Sequence, residues 1–120
     1  MKLPREVKIL RIFIGESDKH DGKLLYEWLV LKAKKQGLAG ATVMRGLMGF
    51  GATSRIHTSK ILRLSMDLPI VVEIVDAPEK IEAFLTLIES VVTEGLITLE
   101  SAKVHLYKGK KQPQEDPGFS

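Results

Sequence analysis

The residues best suited to chemistry lie between Arg45 and Lys60, RGLMGFGATSRIHTSK. Gly46, Gly49 and Gly51 are interleaved there with Phe50, Arg45, Arg55, His57 and Lys60, and with four hydroxyl side chains. Glycine lets backbone approach a ligand closely. Amides freed in such a bend converge on one anion, and a guanidinium can grip a phosphate through two parallel bonds. Charge is asymmetric around this stretch. From Trp28 through Met66 there is no Asp or Glu, while Lys32, Lys34, Lys35, Arg45, Arg55, Lys60 and Arg63 all fall inside it. This pattern predicts an anion site, with the phosphates of a nucleotide as the ligand. The competing reading is a solvated basic loop.

Other chemistries fit less well. His20, His57 and His105 lie on separate segments without the spacing of a metal site. Ser54, Ser59 and His57 share one loop, but no nearby carboxylate along the chain orients the imidazole, so a nucleophile–base pair is incomplete. Glu16 and Asp18 are the acids expected near the glycine turn, with ribose hydroxyls or a metal-bound phosphate as their targets. No metal ligand set is predicted, and no catalytic residue is assigned.

The 120 residues make one domain. A hydrophobic share of 44% and a charged share of 28% are those of an ordinary globular protein. A net charge of +3 is too small for general nucleic-acid binding. The absence of cysteine removes disulfides, thiol nucleophiles and zinc–thiolate sites. No apolar run reaches membrane-span length, and the start MKLPREVKIL does not read as a signal peptide, so a cytoplasmic location is expected.

The elements that must position the anion site follow from periodicity. Val7–Ile14 reads as a strand and Glu16–Gly22 as a polar loop, with Asp21 as N-cap of a helix over Lys23–Gln36. Leu25, Trp28, Leu29 and Ala33 form that helix's apolar face, and Gly37 is its C′ residue. Ala41–Leu47 is a second strand, Ala52–Lys60 a mobile loop and Ile61–Leu64 a further extended piece. Asp67-Leu68-Pro69 reads as a break or bulge, and Ile70–Val75 as the clearest strand. Asp76 and Glu79 have capping-box spacing before a second helix over 77–94, ended by Gly95. Ile81, Phe84, Leu85, Ile88, Val91 and Val92 are its stripe. Leu96–Leu99 and Lys103–Tyr107 are extended. Residues 1–108 form the domain, and 109–120 a disordered tail. The order β-α-β, long loop, β-α-β predicts an α+β, ferredoxin-like βαββαβ sandwich with an antiparallel sheet. Its second sheet face, with Phe13, Met44 or Val72 depending on register, needs cover and predicts an oligomer. An RNA-recognition module on the same fold would need aromatics on the third strand, which are missing.

Several stretches resemble the PII-like signalling superfamily, in its less-characterised bacterial and archaeal branch. They are Leu10–Asp18 (LRIFIGESD), Gly22–Tyr26 (GKLLY), Gly40–Gly51 (GATVMRGLMGFG), Ser54–Ser59 (SRIHTS) and Asp67–Asp76 (DLPIVVEIVD). The resemblance implies a homotrimer with an adenine nucleotide in clefts between subunits, and a regulated partner protein contacted through the 52–60 loop. A membrane channel or transporter is one such partner class. Thr93–Thr98 lacks the usual glycine- and lysine-containing phosphate loop, and Lys108, Lys110 and Lys111 stand where an arginine pair is usual. AMP or ADP is therefore expected over ATP. Arg45, Gly46, Gly49, Phe50, Gly51, Arg55, His57, Glu16 and Asp18 are the expected nucleotide-binding residues, in a sensor rather than an enzyme. The alternatives are a small nucleotide-processing enzyme or an RNA-binding module on the same fold.

Overall fold

A computed structural model describes residues 3–49, 57–58 and 67–109. The described chain runs β1 (Glu6–Gly15), β2 (Lys19–His20), β3 (Lys23–Leu24), α1 (Leu25–Lys35), β4 (Ala41–Arg45) and β5 (Met48–Gly49). It continues with β6 (His57–Thr58), β7 (Pro69–Asp76), α2 (Pro78–Ile88) and β8 (Leu96–Lys103). Four strands form an antiparallel sheet in the order β4-β7-β1-β8. Both helices pack on one face. This is the expected ferredoxin-like sandwich.

Alternation along β1 and β7 fixes the layers. Leu10, Ile12 and Ile14 of β1 and Ile70, Val72 and Ile74 of β7 are buried toward the helices. Val72 therefore belongs to the helix-covered face and not, as its register left open, to the other one. Helix α1 buries Leu25, Leu29 and Ala33, and α2 buries Ile81, Phe84 and Ile88. Removing such surface from water is the main force holding helices to sheet, at about 25 cal/mol per Å².

Helix ends show where local signals succeed and fail. Gly37 has φ +79. Its N–H donates to Lys34 O at 3.1 Å, and the Leu38 N–H donates to Ala33 O at 3.1 Å, the Schellman pattern that a C′ glycine permits. Asp21 is not the N-cap of α1. Leu24 holds that position without a side-chain bond. Asp21 and Gly22 instead have φ +53 and +75 and form a two-residue turn between β2 and β3, where both central residues need positive φ.

Asp76 is likewise no capping box. Ala77 is the N-cap of α2 and makes no side-chain bond. The Asp76 carboxylate is buried, and it accepts the Ala39 N–H at 2.8 Å and the Ala77 N–H at 2.6 Å. It ties the approach to β4 to the end of β7.

Helix α2 is shorter than its apolar stripe suggests. Gly95 does not terminate it but makes a close approach, since a Cβ there would lie 2.5 Å from the Phe13 carbonyl oxygen. Strand β8 is one piece through Ser101 and Ala102, where two were expected. The expected strand Ile61–Leu64, the 52–60 loop except His57–Thr58, and all of the 109–120 tail after Gly109 lie outside the described residues.

The sheet face away from the helices is layered by row. Met44, Val71, Phe13 and Leu96 stand side by side across all four strands. Phe13, Met44 and Leu96 are exposed. The next row is polar: Thr42, Glu73, Arg11 and Thr98. Arg11 bonds Glu73 at 2.7 Å and Glu100 at 2.5 Å. Glu100 first, and then Glu73, raises the guanidinium pKa, so Arg11 stays charged.

Candidate functional site

Pairing register brings the expected residues to one end of the sheet. Arg45 closes β4 opposite Ile70, which is itself opposite Ile14. Arg45 thus projects on the helix side of the sheet, the same side as Ile14. Glu16, in the turn directly after β1, reaches the same place. Its carboxylate meets the Arg45 guanidinium at 2.5 Å, with the Arg45 side chain 58% exposed and that of Glu16 only 17%. The second Glu16 oxygen, Oε1, is buried and has no hydrogen-bond partner among the described residues.

Gly46 follows directly. Its N–H donates to Pro69 O at 2.7 Å. A Cβ on Gly46 would sit 2.8 Å from Pro69 Cγ, and one on Gly49 would sit 3.3 Å from the same atom. A side chain at Gly46 thus forces a shift where the β4–β5 bend approaches Pro69, whereas one at Gly49 needs Pro69 to give by only a few tenths of an ångström. Gly49 pairs with His57 across β5 and β6. Phe50, Gly51 and Arg55, together with the His57 side chain, lie outside the described residues.

Asp18 is spent on its own turn. Its Oδ2 accepts the Gly15 N–H at 2.9 Å, and its backbone carbonyl accepts the Leu25 N–H at 2.7 Å. Ser17, Asp67 and Pro69 belong to this end of the sheet although no role was expected for them. Asp67 Oδ1 accepts both the N–H and the hydroxyl of Ser17, at 2.9 and 2.8 Å. A Cβ on Gly15 would fall 2.9 Å from that oxygen. Asp67 is the first acid after the acid-free span and opens the Asp67-Leu68-Pro69 break, but neither signal gave its partner.

The site is thus a guanidinium on an exposed stem, a glycine bend, and three carboxylates behind them. Pro69, the first residue of β7, sits where a missing N–H breaks no ladder. Chemically this end can present a cation and backbone polar groups to an anionic ligand. It can also present acceptors to hydroxyl or amino groups. Among the described residues, no group of three or more His, Cys, Asp or Glu side chains is arranged to hold a metal ion. No helix among them is long and apolar enough to cross a membrane.

Residues 7–104 match the DUF190 family, described as Uncharacterized ACR. A UPF0166 protein of Aquifex aeolicus (strain VF5) is 46% identical over 97 residues, covering 81% of this chain and 91% of that protein. A UPF0166 protein of Methanocaldococcus jannaschii is 38% identical over 106 residues, covering 88% of this chain and 95% of that one. Among solved structures, CPII is similar in fold, with a TM-score of 0.65 at 18% identity over 86% of this chain and 91% of that one. CPII is a nitrogen regulatory PII-like protein from Thiomonas intermedia K12, and that structure holds ADP, AMP and bicarbonate.

Proposed function

The chain belongs to the DUF190 family and has the fold of PII-like proteins, and from that premise we propose that it is a sensor of adenine nucleotides. One observation carries the reading. Register and close packing on Pro69 bring Arg45, Gly46 and Gly49 together at the sheet end where the long 46–68 connection begins and ends. ADP and AMP are bound by CPII, of the same fold, and are the ligands we assign to this chain ahead of ATP. Arg45 contacts phosphate in this reading. The 46–49 bend gives close backbone approach, and Phe50, Gly51, Arg55 and His57 complete the phosphate side.

The assembly in this reading is a homotrimer formed through the open sheet face, with nucleotide in clefts between subunits. The apolar row Met44, Val71, Phe13 and Leu96 supports it. Ligand occupancy is reported to a partner protein through the 52–60 segment. The domain spans residues 1–108. A sensor needs only differential affinity of two states for its ligand.

Hydrolysis would need an in-line water, a group to orient it, and a metal clamp on the phosphates. Asp18 and Asp67, the other two described acids at this end of the sheet, each already accept through one oxygen, from Gly15 and Ser17. The test is calorimetry against AMP, ADP, ATP and adenosine, followed by chromatography of each nucleotide after prolonged incubation with Mg²⁺. Saturable binding of ADP or AMP with unchanged nucleotide supports a sensor. Turnover of about 1 s⁻¹, the low end for enzymes, contradicts it.

A further inference from the structure

We propose that the Glu16 carboxylate occupies, on the Arg45 guanidinium, the position that a ligand phosphate takes, so that Glu16 decides which anions the site accepts. The inference deepens the nucleotide reading and rests on Arg45 being its phosphate contact.

The geometry is that of a captured cation. Arg45 meets Glu16 at 2.5 Å, and that contact is its one ion pair among the described residues. A guanidinium neutralised in this way offers little net charge to an incoming anion. Any phosphate approaching it also approaches a carboxylate, which costs Coulomb energy.

The pair is nonetheless built to open from one side. The Arg45 side chain is exposed and can follow a ligand, whereas Glu16 is largely covered and its backbone N–H is fixed to Leu68 O at 2.8 Å. Glu16 grips with one oxygen only. Its Oε1 is buried without a partner among the described residues, a cost that the closed pair carries and that a fully bonded carboxylate would not. A phosphate brings more charge and more acceptor oxygens than a carboxylate, and it can engage the planar guanidinium at two points. It therefore displaces Glu16, while chloride or a simple carboxylate does not. Asp18 and Asp67 do not share this role: among the described residues neither pairs with Arg45, and one oxygen of each accepts from Gly15 or Ser17 instead.

The experiment compares wild type with Glu16→Gln, Arg45→Ala and the double variant, titrated with ADP, adenosine and inorganic pyrophosphate. Glu16→Ala is run alongside, in case the glutamine amide itself engages Arg45. Relieving a charged competitor should tighten pyrophosphate and ADP by about ten-fold, the scale of one charged hydrogen bond. Adenosine should not change, and the gain should vanish in the Arg45→Ala background.

Unchanged or weaker pyrophosphate binding in both Glu16 variants overturns the proposal, since Glu16 would then be a support for Arg45 or a ligand contact. A gain that persists without Arg45 also overturns it, in favour of general repulsion by the acids. Tightened pyrophosphate with no ADP binding in any variant leaves the Glu16 role standing and removes the nucleotide reading.

Discussion

Ser17 and Asp67, fifty residues apart in sequence, are joined twice: one Asp67 oxygen accepts both the Ser17 N–H, at 2.9 Å, and the Ser17 hydroxyl, at 2.8 Å. The adjacent Glu16 pairs with Arg45. Two consecutive residues just past the end of β1 thus hold the chain on either side of the 46–66 stretch. Asp67→Ala should lower stability by about 1 kcal/mol, with Ser17→Ala costing less because the backbone bond survives. Urea unfolding checks the order. Asp67→Ala as stable as wild type would show that the exposed bonds add nothing.

Gly46→Ala should cost about 1–3 kcal/mol, because the new methyl meets Pro69 Cγ at 2.8 Å and one of the two segments must move. Gly49→Ala, at 3.3 Å from the same atom, should cost less. Thermal melts of the two variants give the comparison. Equal losses would mean that packing on Pro69 does not set the bend.

Asp76→Ala removes the acceptor of the buried Ala39 N–H. A buried donor left unpaired costs about 1–3 kcal/mol. Asp76→Asn keeps one oxygen and should lose less. Denaturant titration separates them, and an alanine variant no worse than the asparagine one would place the value of Asp76 elsewhere.

Phe13→Glu should dissociate the oligomer without unfolding the subunit. Phe13 lies in the apolar row of the open sheet face and is outside the buried core. Light scattering should give three subunits for wild type and one for the variant. A wild-type monomer at micromolar concentration, or a variant that stays assembled, would contradict the assigned interface.

What the sequence disclosed was local. The stripe Ile81, Phe84, Ile88 and the alternation of Ile70, Val72, Ile74 each follow from one element's period, and both survive in the fold. Gly37 needed only its own αL conformation. What stayed hidden was set by partners far along the chain. Asp76 has the spacing of a helix cap, yet one oxygen is taken by Ala39, 37 residues away. Asp21 reads equally as a cap or a turn, and the β2–β3 pairing decides. The Arg45–Glu16 pair depends on register across β4, β7 and β1, where a slip of one residue would turn Arg45 to the opposite face. No spacing in the sequence encodes that choice directly.

The most direct test of a phosphate site built on Arg45 is a calorimetric titration of ADP and adenosine into wild type and Arg45→Ala. Loss of a charged bond worth about 1.5–3 kcal/mol should weaken ADP roughly ten- to hundred-fold. Adenosine affinity should be equal in the two proteins, and circular dichroism should show the same fold. Equal losses for ADP and adenosine, or ADP binding that ignores the substitution, would contradict the account.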